Sequence, residues 1–315
     1  MKIQSFPTTD RRLRVLLKSL YTRRFWSFVI LVILLLGDTI SQAQQIISDS
    51  VQVEGHYRVF HFHKPTQKLK NPSLIFVMHG SGGNGKDMMK GAVKMEQKTN
   101  TENAIAVYPD AYKKYWNECR KAAPVPANQE NINEQAFFQS VINYFVKKYH
   151  VNKRHVFAVG TSGGGHMAYK LGLTMPESFR AITALIANLP DTNNIDCTPV
   201  GKPIPVMIVN GTNDNINPYN GGEVKIGFNM GFVRSTDRTF HYWSELAGYK
   251  GDPVKEDVPN TDPNDGRTIE RYTYKEKGKP EVVLLKVIGG KHDYPNDIDV
   301  HTEAWEFFKR QMKGE

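Results

Sequence analysis

The chain has 315 residues, 40% of them hydrophobic, and 41 Lys and Arg against 32 Asp and Glu give it a net charge of +9. Residues 1–43 hold seven of the basic and two of the acidic residues, so residues 44–315 keep 34 against 30, a net of +4. That excess is spread along the chain without a basic block, which argues against a nucleic-acid partner, and no repeat, low-complexity tract or Ser/Thr/Pro-rich linker divides the sequence.

In chain order, the first element is the apolar run FWSFVILVILLL at 25–36, behind a basic segment containing Arg11, Arg12, Arg14, Lys18, Arg23 and Arg24. A membrane span takes roughly 20 residues, so this run is too short for a comfortable one. SQAQQ follows, with Ser41 and Ala43 as the small residues of a cleavage site. Residues 1–43 are therefore predicted to be an export signal cleaved after Ala43, with an uncleaved membrane anchor as the alternative. Cleavage would leave residues 44–315 periplasmic or extracellular, with no stable membrane association.

HYRVFHFHKP (56–65) alternates and predicts a leading antiparallel strand. From there, apolar and β-branched runs alternate with helical patterns, as in a mostly parallel sheet covered by helices on both faces. The runs are 74–80, 104–110, 155–160, 181–187, 205–211 and 282–290, each apolar at consecutive positions, as strands buried on both faces must be. Between the second and third, Phe137, Val141, Phe145 and Tyr149 fall at a four-residue spacing and form one stripe of an amphipathic helix. Ala304, Trp305 and Phe308 do the same in the last helix. Residues 212–280 break the alternation, are rich in Gly, Asn, Asp and Pro, and predict an excursion over the sheet. The fold class is α/β, a mostly parallel central sheet with helices on both faces, as a single domain over 44–315.

Within VFAVGTSGGGHMAYKL (156–171), Gly160-Thr161-Ser162-Gly163-Gly164 fits G-x-S-x-G, with a strand before it and a helix after it. On such a turn a serine is exposed at a helix N-terminus, where backbone N–H groups favour developing negative charge. A serine hydroxyl needs a base and a group to orient that base. In sheets whose nucleophile sits on such a G-x-S-x-G turn, the acid follows the serine and the histidine follows the acid. Asp214 stands just past the run 205–211 and His292 just past 282–290, both on loops at strand C-termini, where open α/β sheets build their sites. Asp237, Asp257, Asp262 and Asp265 compete for the acid, and His241 and His301 for the base. Two amides must meet the charged oxygen of a tetrahedral intermediate. Gly163 supplies one, and Ser81, in the glycine-rich loop MHGSGGNG (78–85), is the candidate for the other. That loop lacks the G-K-[ST] of a phosphate cradle.

These residues carry a resemblance. MHGSGG, VYPDAY with YWNEC, the segment FFQSVINYFVKKYHVNKRHVFAVGTSGGGHMAY, GTNDNINPYNGG, and GGKHDYPN followed by WEFF are similar to the secreted polyhydroxybutyrate depolymerases and feruloyl esterases, from about residue 53 to the C-terminus. The resemblance implies an α/β-hydrolase fold and carboxylic-ester hydrolysis, with Ser162, Asp214 and His292 on the triad positions and no cofactor. The substrate would be a small or polymeric ester: feruloyl or acetyl groups on polysaccharide, or hydroxyalkanoates. A prolyl-oligopeptidase-like peptidase and a non-catalytic carbohydrate-binding relative are the alternatives. Thr161 and Gly163 stand where Met and Asn are frequent in relatives, and Asn210 where a histidine is usual.

Tyr112, Tyr115 and Trp116, after the second parallel run, are predicted to form an aromatic wall for the substrate, with loop packing as the other reading. His61 and His63 alternate on the leading strand but lack a third ligand, and DPNDG (262–266) lacks the spacing of a calcium loop, so no metal is expected. Cys119 and Cys197 are the only cysteines. Export and an even count favour a disulfide between them. Their strands should lie three positions apart, about 14 Å, within reach of loops of about ten residues.

Overall fold

The computed structural model describes residues 45–312, so the expected export signal lies outside the described residues. The described residues open with a hairpin of which the sequence pattern predicts only the second strand: β1 (Ile46–Val53) pairs antiparallel with β2 (His56–His63). Glu54 and Gly55 join them with φ of 47° and 86°, the double left-handed turn whose twist suits a two-residue hairpin loop.

The buried runs are strands as expected. β3 (Ser73–Met78) and β4 (Ala104–Pro109) flank the helices α1 (Gly85–Gly91) and α2 (Val93–Thr101). After the short α3 (Pro126–Gln129) and the long α4 (Glu134–Tyr149) come β5 (Val156–Thr161), α5 (Gly163–Thr174), β6 (Ala181–Leu185) and β7 (Val206–Gly211). Asn133 caps α4 by accepting from the Ala136 amide at 3.0 Å, and Phe137, Val141 and Phe145 of the predicted stripe are fully buried. Successive strand residues point to opposite faces, so Phe76 packs on Phe138 below α4 while Phe157 stacks on Phe308 on the other side.

Residues 212–280 correct the expected excursion. A separate two-stranded hairpin, β8 (Gly222–Lys225) and β9 (Asn229–Val233), is followed by α6 (Thr236–Leu246). The chain then returns to the main sheet: β10 (Val254–Val258) pairs with β11 (Thr268–Tyr274), and β11 with β12 (Val282–Ile288), all antiparallel. The helix α7 (Val300–Met312) follows. Among the described residues the sheet has ten strands in the order β1-β2-β4-β3-β5-β6-β7-β12-β11-β10, parallel from β4 to β12. VKEDV of β10 is exposed at four of its five positions, so it carries none of the apolar run that marks an interior strand. Its charges suit an edge, where they discourage pairing with another chain.

Cys119 and Cys197 form the disulfide, with Cα atoms 5.1 Å apart. β4 and β6, which precede them, are three positions apart as expected. Among the described residues no helix is long and apolar enough to cross a membrane.

Candidate active site

β5 ends at Thr161 and α5 begins at Gly163, leaving Ser162 alone on the turn with φ 53° and ψ −115°. A non-glycine residue there is strained, and such strain persists only where the surroundings over-determine the backbone. They do so here through close backbone contact. A Cβ on Gly164 would lie 2.5 Å from the Met78 carbonyl oxygen and 2.7 Å from that of His79, so only glycine lets the first turn of α5 lie against the end of β3.

His292 Nε2 lies 3.0 Å from Ser162 Oγ, and its Nδ1 lies 2.7 Å from Asp214 Oδ2. The other carboxylate oxygen of Asp214 accepts from the Ile216 and Asn217 amides, each at 2.8 Å. A carboxylate can only accept, so Nδ1 carries the imidazole proton and Nε2 turns its lone pair to the serine hydroxyl. The competing residues are elsewhere. Asp237 accepts from the Tyr219 hydroxyl, Asp262 and Asp265 accept from Asn296, Asp257 is exposed on β10, His241 pairs with Glu245, and His301 is buried beside Tyr294.

Ser81 and Gly163 face one another across the serine. A Cβ on Gly163 would lie 2.5 Å from Ser81 Oγ and 2.9 Å from the Ser81 amide nitrogen. Among the described residues neither amide donates a hydrogen bond to a protein group. The loop beneath them is held by His79, which donates from Nδ1 to the Gly80 carbonyl (2.7 Å) and accepts at Nε2 from the Ala111 amide (3.1 Å). This uses both ring nitrogens of the neutral form, and burial pushes the His79 pKa down.

Trp116 departs from the expected aromatic wall. It is 2% exposed, and its indole donates to the His79 carbonyl at 3.0 Å, so it supports the loop from below and does not face solvent. An apolar body with one N–H to satisfy suits that buried place. Tyr112 and Tyr115 are half-buried on the neighbouring turn, which is tied to the glycine loop through the Gly82 amide and the Lys114 carbonyl (2.9 Å). Tyr112 donates to Glu130 at 2.6 Å, and the Tyr115 ring meets Phe228.

Sequence reasoning missed three groups around the serine. Thr161 is hydrogen-bonded to the Tyr294 hydroxyl. His166, one helical turn beyond Ser162, is fully buried, and its pKa is pushed well down by that burial and by the Arg120 charge. Asn210, noted only as a departure, uses its whole amide: it exchanges hydrogen bonds with the Ala187 peptide (3.0 Å each way) and donates to Asn188 and Thr236. The leading-strand histidines do not share a ligand. His61 meets Asp110 at 3.1 Å and His63 meets Glu96 at 2.6 Å, and the described residues contain no cluster of three or more metal-ligating side chains.

The strand order, the strand-to-helix serine and the parallel core define an α/β-hydrolase. The chain belongs to the phospholipase/carboxylesterase family, which it matches over residues 63–241. That span includes Ser162 and Asp214. The chain is 22% identical over 271 residues to NocK of Nocardia uniformis subsp. tsuyamanensis, covering 82% of this chain and 75% of that protein. It is 24% identical to feruloyl esterase B of Piromyces equi over 76% of its own length, but spans only 42% of that larger protein. In structure it is similar to the acetyl xylan esterase from Aspergillus awamori, with a TM-score of 0.58 at 16% identity over 84% of this chain and 99% of that one, a likeness of fold.

Proposed function

We propose that the chain is an exported serine esterase that hydrolyses carboxylic esters through an acyl-enzyme. The observation that carries this reading is the unbroken relay from Asp214 through His292 to a strained Ser162, at 2.7 and 3.0 Å. Ser162 Oγ attacks the ester carbonyl as His292 Nε2 takes its proton. Asp214 holds the imidazole in the tautomer that can do so and stabilises the imidazolium. The amides of Ser81 and Gly163 receive the charged oxygen. When the intermediate collapses, His292 returns the proton to the departing alcohol, and a water activated by the same histidine then releases the acid. The chain's own groups handle every proton and charge in the cycle. Tyr112 and Tyr115 border the substrate beside the glycine loop. The disulfide supports an extracellular or periplasmic setting, and the name of the relative feruloyl esterase B supports feruloyl esters as substrates, with acetyl esters of polysaccharide and hydroxyalkanoate esters in the same chemical class.

The test compares the native chain with Ser162→Ala on p-nitrophenyl acetate, methyl ferulate and a proline-containing peptide amide. The expected result is hydrolysis of the esters alone, lost in the variant. Amide cleavage exceeding ester cleavage would replace the reading with a peptidase, and an inert native chain with a binding protein.

A further inference from the structure

The loop that carries His292, residues 289–299, has no helix or strand of its own, so its position depends on what grips it. On the Asp214 side, the Asn213 amide donates to the Gly290 carbonyl (2.8 Å) and the Gly289 amide to Thr212 Oγ1 (2.9 Å). On the outer side, Arg267 takes Asp293 in a forked pair at 2.8 and 2.9 Å. On the nucleophile's side, the Tyr294 hydroxyl is hydrogen-bonded to Thr161 Oγ1. Apart from the His292–Ser162 bond itself, this is the hydrogen bond that joins the serine turn to the histidine loop among the described residues.

Both ends of that bond are fixed. Thr161 is the last residue of β5 and pairs in register with Leu185 of β6. The Tyr294 ring packs edge-on against the buried His301 of α7, with centroids 5.8 Å apart. Burial pushes the Tyr294 phenol up, so it stays protonated wherever a neutral histidine can act as a base. Thr161 directly precedes the nucleophile and Tyr294 follows the base by two residues, so the bond spans the reacting pair.

We propose that Tyr294, acting through Thr161, is a positioning residue that sets the separation of His292 Nε2 and Ser162 Oγ. This rests on the serine-esterase reading above. Proton transfer needs the two atoms at about 2.6–3.2 Å, and a misplacement of about 1 Å costs on the order of 100-fold in rate. Loss of this tether, with the Thr212, Arg267–Asp293 and Thr261–Asp297 contacts left in place, should cost less, about 10-fold in kcat. KM should stay within about twofold, because the tether touches no substrate.

The experiment measures kcat and KM on p-nitrophenyl acetate for Tyr294→Phe, Thr161→Val, Thr161→Ser and the Tyr294→Phe/Thr161→Val double variant, with Ser162→Ala alongside. The expected result is a drop in kcat of about 10-fold in either single variant, none beyond that in the double, and a kcat within about twofold of native in Thr161→Ser. A native kcat in Tyr294→Phe overturns the proposal. So do single losses that multiply in the double, since these would mean two independent injuries, and a Thr161→Ser as slow as Thr161→Val. If Thr161→Val does not fold, Tyr294→Phe and Thr161→Ser decide between the same outcomes. An active Ser162→Ala would instead remove the esterase reading, whereas an inactive one beside an unimpaired Tyr294→Phe removes the tether alone.

Discussion

The two flanks of Ser162 are built by different means. On the Ser81 side, backbone lies directly on backbone: Gly164 against the carbonyls of Met78 and His79, Gly163 against Ser81, with the buried Trp116 and His79 below. On the His292 side, backbone meets backbone at one point, where Gly211 lies against the Gly290 carbonyl, and the rest of the histidine loop is held by side-chain hydrogen bonds from Asp214, Thr212, Arg267 and Tyr294. The first flank has no room for an added atom at Gly163 or Gly164. The second is also tight at Gly211 and Gly290, but beyond that contact it loosens with each polar group removed. On the proposed esterase reading the difference suits the two roles: an oxyanion site needs fixed dipoles that do not reorganise during the reaction, whereas a general base must accept and return a proton as its partners change.

That contrast can be broken most forcefully at Gly164. Gly164→Ala must displace either the serine turn or the end of β3. We expect ester hydrolysis to fall about 100-fold or more, with about 1–3 kcal/mol of stability lost to overpacking, read by kcat and thermal melting. A native kcat would show that the backbone contact has slack. The disulfide, which ties the Trp116 loop to the segment after β6, closes a sequence separation of 78. Replacing both cysteines with serine should cost about 4 kcal/mol in urea unfolding while leaving the folded enzyme's kcat near native.

Acid tests the buried histidines. Burial lowers the pKa values of His79, His166 and His301, so the unfolded chain takes up these protons first. Their contribution is complete above the unfolded value of about 6.5 and is lost as pH falls below it, by up to about 1.4 kcal/mol per pH unit for each histidine. A urea midpoint that stays flat from about pH 7.5 to 5 would contradict this. The smallest effect is expected on the second flank at Arg267, whose partner Asp293 is half exposed. Arg267→Met should change kcat by no more than about fivefold, because exposed ion pairs contribute at most about 1 kcal/mol.

What was legible in the sequence follows the same division. Glycines between a strand and a helix betray backbone contact, so the serine turn could be read directly. Asp214 and His292 could be placed because each follows a buried apolar run whose end fixes where the loop begins. The Thr161–Tyr294 bond could not, since its partners are 133 residues apart and neither residue type signals the other. Trp116 stood in a loop beside the site, and nothing local distinguishes an indole facing substrate from one donating to a carbonyl underneath. β10 escaped because this edge strand exposes both faces and keeps no apolar run, β11 because it is paired on both sides yet only half-buried and largely polar, and β1 because it half-buries only alternate residues.

The most direct test of the account is covalent capture of its nucleophile. A fluorophosphonate should transfer its phosphonyl group to one oxygen with loss of fluoride, and peptide mass spectrometry should find that group on Ser162. Labelling should be absent in Ser162→Ala and at least about 100-fold slower in His292→Ala. Adduct formation at another residue with ester hydrolysis intact in Ser162→Ala would contradict it.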